Sequence, residues 1–383
     1  MAKKNNMPEV DIVVDEKAGV IREVPAEQPR LRSKKGHERR VNTGIYVVLI
    51  LMSIIWLCPF VFLVLQSFRG ESGGQVAYVI PKQWTLDNYR FLFEGVAFSL
   101  KALVKDVPAV ILTVVSNLLG VLGMTAILKR KPRNPYEEAS GNIKNALLVF
   151  SALLLINFMR CVDSTNCDFV QWFMNTLTIA LFCAVIQTIM VLSVSYTLSR
   201  IRFKGRKLIM NVVLVLGMFP GFLTMIVLYY LLKMMGLTQA GAVPGLILIS
   251  CASSGMGYYI SKGFFDTIPK SLDESARIDG ATRFQVFLKI IMPMAKPIVI
   301  YTILMAFMGP WGDYVFASYV AFGHKASYNV AVGLYRWVNT NDYQGYFTRF
   351  CAGGVLVAIP ITALFMALQK YYVEGVTGGA VKG

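Results

Sequence analysis

Eight long apolar runs, nearly free of charged residues, constrain this chain more than any other feature. They lie at about 44–67, 107–128, 145–160, 173–198, 208–232, 242–265, 296–319 and 352–373. Most of them exceed the roughly 18 residues that mark a helix able to span a bilayer. The composition agrees, because 55% of the residues are apolar and only 16% are charged, against about 45–50% and about 25% in soluble domains. The sequence therefore predicts an all-α, polytopic integral membrane protein.

The distribution of basic residues predicts the orientation. If residues 1–43 lie in the cytoplasm and all eight runs cross, 28 of the 38 Lys and Arg residues fall on the inner side. An excess of basic residues on the inner side is typical of multi-pass membrane proteins. This pattern predicts a multi-pass plasma-membrane protein, surrounded by lipid, with both termini in the cytoplasm. It also accounts for the net charge of +16 without a nucleic-acid partner.

The run at 145–160 has only about 16 residues, which is short for a hydrocarbon core of roughly 30 Å. The first helix has to end outside and the helix at 173–198 has to end inside, so the intervening segment crosses either twice or not at all. We favour two crossings and hence eight helices; the alternative is six, with an outer or interfacial insertion. The predicted segments are a basic tail at 1–43, the first helix and an outer segment at 44–96, an inserted helix pair at 97–170, a core at 171–373 and a second tail at 374–383.

Cysteine and histidine are too sparse for a predicted metal centre. Cys161 and Cys167 form a C-x5-C pair that could be bridged in an oxidising compartment, and the other four cysteines are interpreted as small buried hydrophobic residues. The chain has two histidines, so no metal ligands and no catalytic residues are predicted. It lacks a G-x4-G-K-[ST] phosphate loop. Any hydrolysis of ATP with Mg therefore has to occur on another polypeptide, and this chain is expected to bind no cofactor.

The predicted inner loop at 270–297 has the pattern of two short helices. Ser271 and Glu274 have the spacing of a capping box, and Gly280 can end the first helix in a left-handed conformation. Thr282 and Gln285 have the spacing of a second capping box. The residues after it predict one apolar stripe at helical spacing, formed by Phe284, Phe287, Leu288 and Ile291. The stripe could dock a partner, or the loop could pack only against the inner ends of the helices.

The same loop carries a family resemblance. E-S-A-x-x-D-G-A, followed by an I-x-P stretch, resembles the EAA loop of permease subunits of ATP-binding-cassette importers, with Ser275 and Met292 as departures from its usual Ala and Leu. The resemblance implies that the loop contacts an ATP-hydrolysing subunit and couples its closure to the membrane helices. The residues implied in this coupling are Glu274, Ser275, Ala276, Asp279, Gly280, Ala281, Phe284, Ile291 and Pro293.

Three further motifs resemble the carbohydrate-uptake group of these importers, in particular the smaller maltose-type permease. They are PKQWTLDNYRFLF after the first helix, WGDY at 311–314 and QKYYVEGVTGGAVKG near the end. The resemblance covers about 44–96 and 171–383. It implies the six-helix bundle of a type I importer permease, which works with a second permease, a dimer of ATP-hydrolysing subunits and an extracellular solute-binding protein. A permease for a non-sugar solute, or a secondary transporter, stays open as an alternative.

Polar and aromatic residues within the predicted spans are candidates for the path of the solute. Asp313 is the only carboxylate inside a predicted span, and a charge there is costly unless it serves a function or is satisfied locally. It could line a cavity, or it could hold a kink beside Pro310 and Gly312. Weaker polar candidates, including Gln187, could instead hold helices together. The other candidates for the path are Trp311, Tyr314, Asn175 and Tyr229.

Overall fold

A computed structural model of the chain is helical over most of its length. It describes all residues except 1–9, 16–19, 26–31, 72–77, 101–106, 129–145, 148, 152, 155–156, 159–160, 165–166, 253, 340–342 and 381–383. The chain divides into two compact units, residues 1–61 and residues 62–383. Each unit is described by itself below.

The first unit contains a short hairpin and most of the first long helix. Strands β1 (Val10–Asp15) and β2 (Val20–Pro25) pair antiparallel, and this hairpin was not predicted from the sequence. Helix α1 (Arg32–Ser67) begins in this unit and continues into the second. Its apolar side chains from Ile45 to Val61 are exposed all round, which suits a helix whose surroundings are lipid.

The second unit begins with a tight connection after α1. Helix α2 (Asp87–Leu92) carries Asn88, whose Nδ2 donates to the backbone carbonyls of Ser67 (2.9 Å) and Arg69 (2.8 Å). Ser67 is the last residue of α1, and Arg69 follows it by two residues. The carbonyls at the C-terminal end of a helix have no N–H partner within the helix. Asn88 Oδ1 accepts a hydrogen bond from Thr348 Oγ1 at 2.9 Å. The DNY motif therefore ties the end of α1 to the last helix.

The insertion at 97–170 forms a hairpin whose two ends meet. Strand β3 (Val96–Phe98) pairs antiparallel with β4 (Val162–Ser164), and helix α3 (Val107–Leu128) packs against helical residues between 146 and 158. Asn117 and Asn157 hydrogen-bond through their amides at 3.2 and 3.5 Å. The two ends of the insertion are therefore adjacent, which is compatible with both alternatives, two crossings or none. The connection at 129–145 lies outside the described residues.

Four helices in the described part of the chain are long and apolar enough to cross a membrane, or up to six if each of two bent pairs counts as one span. The four are Asn42–Ser67, Phe169–Arg200, Gln239–Thr267 and Tyr346–Gln369, and a shorter apolar helix covers Leu112–Ile127. The total of eight crossings stays a prediction.

One predicted run is not a single straight helix. The run at 208–232 divides into α5 (Arg206–Gly217) and α6 (Gly221–Met234), which are bent by 103°. The cause is Pro220, which lacks an N–H group and disfavours a helical conformation for the residue before it.

Two other predicted runs are interrupted as well. The run at 242–265 consists of α7 (Ala242–Ala252) and α8 (Gly255–Thr267). The run at 296–319 ends as a helix at Gly312, after α12 (Lys296–Gly312), and resumes as the short helix α13 (Val315–Val320). The second interruption places Asp313 in a break between helices.

The core surrounds one long central helix, α4 (Phe169–Arg200), which contacts α7, α8 and α12. Two further helices complete this part of the core: α14 (Val330–Asn339) packs against α4, and α15 (Tyr343–Ala380) packs against α12 and α14. Gly333 allows a close approach there, because an added Cβ would lie 1.9 Å from Trp172 Cε3. Trp172 Nε1 also donates to the carbonyl of Lys325 at 3.0 Å. The loop before α14 is therefore fastened to the central helix.

Candidate functional site

The first helix of the inner loop, α9 (Ser271–Ile278), starts one residue earlier than its sequence predicts. Lys270 occupies the N-cap position, its carbonyl accepts the N–H of Glu274 at 3.2 Å, and no side chain caps the helix. The predicted Ser271–Glu274 capping box is therefore wrong. The reason is Pro269, whose carbonyl accepts the N–H of Leu272 at 3.4 Å and whose fixed φ favours a turn before Ser271.

The end of α9 follows the prediction. Gly280 has a φ of +85°, and the N–H of Ala281 donates to the carbonyl of Ala276 at 3.0 Å. This is the bond that closes a helix through a left-handed residue. No atom lies within 4 Å of an added Cβ at Gly280. A larger residue there would therefore strain the backbone rather than collide with a neighbour.

The second capping box is present as predicted. Gln285 N–H donates to Thr282 Oγ1 at 3.3 Å, and Thr282 N–H donates to Gln285 Oε1 at 2.8 Å. The box opens α10 (Arg283–Val286), which leads through a π-helical turn, Phe287–Ile291, into α11 (Met292–Met294). Pro293 is exposed in α11, and the chain then bends by 85° into α12.

The π-helical turn changes the predicted apolar stripe. Val286 and Ile291 are buried, at 1% and 0% exposure, whereas Phe284 and Leu288 are 68% and 48% exposed. A turn with i→i+5 hydrogen bonds is wider than an α-helical turn, so residues five apart share the inward side. The prediction of one stripe that includes Phe284 and Ile291 is therefore wrong.

The buried side of the loop packs against the nearby ends of the long helices α4, α8 and α12. Ala276 on α9 is 7% exposed and belongs to the same apolar cluster as Val286 and Ile291. Tyr196 from α4 contacts the ring of Phe287, with ring centroids 4.7 Å apart. The other buried members of the cluster are Leu192, Phe265, Ile268, Ala295 and Ile298. These contacts hold the loop to α4, α8 and α12.

An ion pair that the sequence analysis missed also fixes α9. Arg200 Nε, at the end of α4, lies 3.2 Å from Asp273 Oδ2, and these side chains are 5% and 16% exposed. Arg200 also donates through Nη2 to the carbonyl of Ile268 at 2.7 Å. Burial raises the pKa of the Asp273 carboxyl above its ordinary value, although the Arg200 guanidinium acts in the opposite direction. The two residues are far apart in sequence, so no local spacing indicates their pairing.

The outward side of the loop remains exposed. Glu274, Ser275 and Asp279 face away from the packed cluster, and Ile278 is 85% exposed. Phe284 and Leu288 add the two exposed apolar side chains of the second segment. We call the six residues Glu274, Ser275, Ile278, Asp279, Phe284 and Leu288 the loop face. The loop face combines carboxylates with large apolar side chains that are exposed.

A cavity of about 230 Å³ lies between α4, α7 and α12, where α12 ends. Its lining residues are Ile179, Gln187, Leu246, Ser250, Met305, Ala306, Gly309, Pro310, Asp313 and Asn329. Asp313 Oδ1 accepts the N–H of Phe316 at 3.2 Å, and Asn329 Nδ2 donates to the carbonyls of Asp313 (2.6 Å) and Pro310 (3.4 Å). Asp313 thus both supports the break between helices and lines a cavity.

Comparison with known proteins connects this arrangement to a family. Residues 189–378 match the model of the binding-protein-dependent transport system inner membrane component. They include the inner loop and the break between α12 and α13. The galactooligosaccharides transport system permease protein GanQ of Bacillus subtilis is 38% identical over 217 residues, which are 56% of this chain and 75% of that protein. This chain belongs to that permease family.

A second relative agrees with the assignment, and a solved structure has a similar fold. The maltodextrin transport system permease protein MdxG of Bacillus subtilis is 36% identical over 229 residues, covering 60% of this permease and 81% of MdxG. The crystal structure of a bacterial ABC transporter involved in the import of the acidic polysaccharide alginate contains a chain with a TM-score of 0.55 and 17% identity. The match covers 88% of this permease and 98% of that chain. At this identity the likeness supports the fold alone.

The other predicted path residues of the permease lie outside the cavity wall. Asn175 Nδ2 donates to the carbonyls of Ala326 (2.7 Å) and Tyr328 (2.9 Å). Trp311 is 5% exposed and packs against Phe173 and Phe307. The rings of Tyr314 and Tyr229 contact those of Tyr335 (4.0 Å) and Tyr319 (4.4 Å). Of the predicted path residues, Asp313 and the weaker candidate Gln187 are among the ten residues that line this cavity.

Two polar residues on the cavity wall are Gln187, a weaker candidate from the sequence, and Ser250, which the sequence did not indicate. Gln187 Nε2 donates to Ser254 Oγ at 2.8 Å, which joins α4 to the connection between α7 and α8. A polar residue inside an apolar helix is the sequence signal for such a position. Cys161 and Cys167 are free, buried thiols rather than a disulfide. Among the residues that the structure describes, no group of His, Cys, Asp or Glu could hold a metal ion.

Proposed function

We propose that this permease is the translocation subunit of an ATP-driven importer for a sugar or an oligosaccharide. The supporting observation is the inner loop, in which a short helix is rigidly packed on one side and exposes carboxylates and apolar residues on the other. The names of the relatives GanQ and MdxG refer to the transport of galactooligosaccharides and maltodextrin. The loop supports coupling to an ATP-hydrolysing subunit, and the names of the relatives support a sugar over other solutes.

The loop face is proposed to dock on one subunit of an ATP-hydrolysing dimer. ATP and Mg would bind to that dimer, and this permease would contribute no catalytic residue and bind no cofactor. Burying an exposed side chain such as Phe284 or Leu288 contributes about 1.5–3 kcal/mol. Two or three such contacts are sufficient for docking after the cost of ordering side chains is subtracted.

Movement of the docked loop would reach the membrane helices through rigid contacts. Ala276 and the Arg200–Asp273 ion pair connect α9 to α4. Because α4 is the central helix of the core, a shift of α9 would displace the helices around the cavity. Alternate opening of the path to the two sides then requires that ATP bind one conformation of the importer more tightly than the other.

The remaining partners and the orientation belong to the same proposal. A second permease would complete the path, and an extracellular solute-binding protein would deliver the sugar. The inner loop and both termini would lie in the cytoplasm, as the distribution of basic residues predicts.

The first experiment is purification of the tagged permease from its native membrane, with identification of bound proteins by mass spectrometry and assay of uptake in proteoliposomes. We expect a second permease and an ATP-hydrolysing subunit, and sugar uptake that requires ATP and the solute-binding protein. Recovery of the chain alone, together with uptake that a proton gradient drives without ATP, would contradict the proposal and favour a secondary transporter.

A further inference from the structure

We infer that the cavity between α4, α7 and α12 holds one sugar unit, and that Asp313 makes it select neutral sugars over acidic ones. This inference rests on the proposed function and adds to it a substrate class and a residue that determines specificity. The observations behind it are the ten residues of the cavity wall and the charges among them.

The wall suits a sugar because it combines the two kinds of surface that a sugar presents. Ile179, Leu246 and Ala306 supply apolar surface for C–H faces, whereas Gln187 and Ser250 supply polar groups for hydroxyls. The volume of about 230 Å³ lies below the roughly 300–1,000 Å³ of sites for drug-sized ligands. The cavity therefore suits one ring of a sugar rather than a whole oligosaccharide.

Asp313 is held in place by backbone contacts. Phe316 N–H donates to Oδ1 of its carboxylate, and Asn329 holds its carbonyl at 2.6 Å. The carboxylate thus lies at the break between α12 and α13 and borders the cavity. An ionised carboxylate only accepts hydrogen bonds, which matches the hydroxyl donors of a sugar.

The charge balance of the wall gives the selectivity. Among the ten described residues that line the cavity, Asp313 is acidic and none is Lys, Arg or His. The carboxylate of an acidic sugar would therefore meet a like charge without a compensating cation, an arrangement that proteins use to reject the wrong ligand. The solved transporter with a similar fold is involved in the import of an acidic polysaccharide, so the fold by itself does not determine the charge preference.

Access to the cavity can be measured through its rim. Gly309 and Met305 line the cavity and are exposed, and an added Cβ at Gly309 meets no atom within 4 Å. Gly309→Cys therefore places a thiol at the rim with little disturbance. Gly217→Cys is the matched control, because Gly217 also has open space around an added Cβ and does not line the cavity.

The experiment measures maleimide labelling of these thiols in the purified importer complex, with peptide-level mass spectrometry to separate them from the native cysteines. The probes are maltotriose and a maltotriose whose terminal unit is oxidised to a uronic acid. At about twice the Kd of the protecting sugar, occupancy slows labelling about threefold. We expect maltotriose to protect Gly309→Cys, the uronic acid not to protect it, and neither sugar to protect Gly217→Cys.

Substitution of Asp313 tests the cause of the selectivity. In the Gly309→Cys background, Asp313→Asn should allow the uronic acid to protect as well, whereas Asp313→Glu should keep the exclusion. If Asp313→Asn fails to assemble, the comparison of the two sugars on Gly309→Cys alone still decides, because equal protection by both overturns the charge selectivity. Absence of protection by either sugar, in a complex that imports maltotriose with ATP, overturns the inference and leaves the proposed function standing. Absence of ATP-dependent uptake of any sugar overturns both.

Discussion

Arg200 at the end of the central helix and Asp273 on the loop helix form an ion pair, with Nε 3.2 Å from Oδ2. This contact fastens the loop helix α9 to α4, the central helix of the core. We expect the two partners to contribute unequally to the stability of the permease. Arg200 also holds the carbonyl of Ile268, whereas burial already disfavours the ionised form of Asp273.

Removing Arg200 should therefore cost more than neutralising Asp273. Arg200→Ala leaves a desolvated carboxylate without its cation and also removes the hydrogen bond to Ile268, so it should destabilise the permease by about 3–5 kcal/mol. Asp273→Asn keeps a side-chain oxygen that can accept from Arg200 and should cost less, about 1–2 kcal/mol. The measurement is thermal unfolding of the purified complex. Arg90→Ala is the control, because Arg90 and Asp87 form a pair that is 82% and 74% exposed and worth little. Equal stability of the two single variants, or no recovery when Asp273→Asn is added to Arg200→Ala, would contradict the unequal contribution of the two partners.

The raised pKa of Asp273 also predicts a pH dependence. Because the folded state binds this proton more tightly than the unfolded state, the contribution of Asp273 to stability falls as pH rises from its ordinary pKa of about 3.9 through the raised pKa of the folded state. The wild type should therefore gain Tm relative to Asp273→Asn as the pH is lowered through that window. A difference in Tm that is independent of pH, or that changes in the opposite direction, would contradict the raised pKa.

The inserted hairpin should depend on its two amides. Asn117 and Asn157 hydrogen-bond to each other between apolar helical segments, so Asn117→Leu leaves Asn157 with one fewer partner and should cost about 1–2 kcal/mol. The double variant with Asn157→Leu should recover part of this loss. Thr125→Val, at an exposed position of α3, is the control. Limited proteolysis of the complex measures the effect, and equal protease resistance of all four proteins would show that the amide pair is not needed.

Gly333 should tolerate no side chain. An added Cβ would lie 1.9 Å from Cε3 of Trp172, so Gly333→Ala should destabilise the outer end of the core by about 1–3 kcal/mol through overpacking. Gly217→Ala, where an added Cβ meets no atom within 4 Å, should be neutral or slightly stabilising. The measurement is again thermal unfolding, and a Gly333→Ala protein with the Tm of the wild type would contradict the tight contact.

Local signals in the sequence were sufficient for much of the fold. The apolar runs indicated the long helices, Gly280 indicated the end of α9, and Thr282 with Gln285 indicated the second capping box. Each of these features depends on residues a few positions apart. The hairpin of β1 and β2 was not predicted, because long apolar runs indicate helices and carry no signal for short strands in a polar tail.

Features that depend on distant contacts or on unusual turns were missed. The π-helical turn at Phe287–Ile291 moved Ile291 inward and left Phe284 exposed, which α-helical spacing cannot indicate. The Arg200–Asp273 pair joins residues that only the packing of α4 and α9 brings together. The sequence identified Asp313 as a candidate that could line a cavity or hold a kink. In the structure it does both, because it lines the cavity and supports the break between α12 and α13.

If the inner loop couples ATP hydrolysis to uptake, that coupling should depend on Gly280, the left-handed residue that ends α9. Gly280→Leu strains the left-handed backbone just after α9. Gly236→Leu is the matched control, because Gly236 lies between α6 and α7 with a φ of +71° and equally open surroundings. The measurement is sugar uptake per ATP hydrolysed in proteoliposomes, with Glu274→Ala as a second variant on the loop face. A coupling free energy of about 1–3 kcal/mol corresponds to a loss of about 5- to 150-fold. We predict such a loss for Gly280→Leu and Glu274→Ala and none for Gly236→Leu; normal coupling in a well-assembled Gly280→Leu complex would contradict the account.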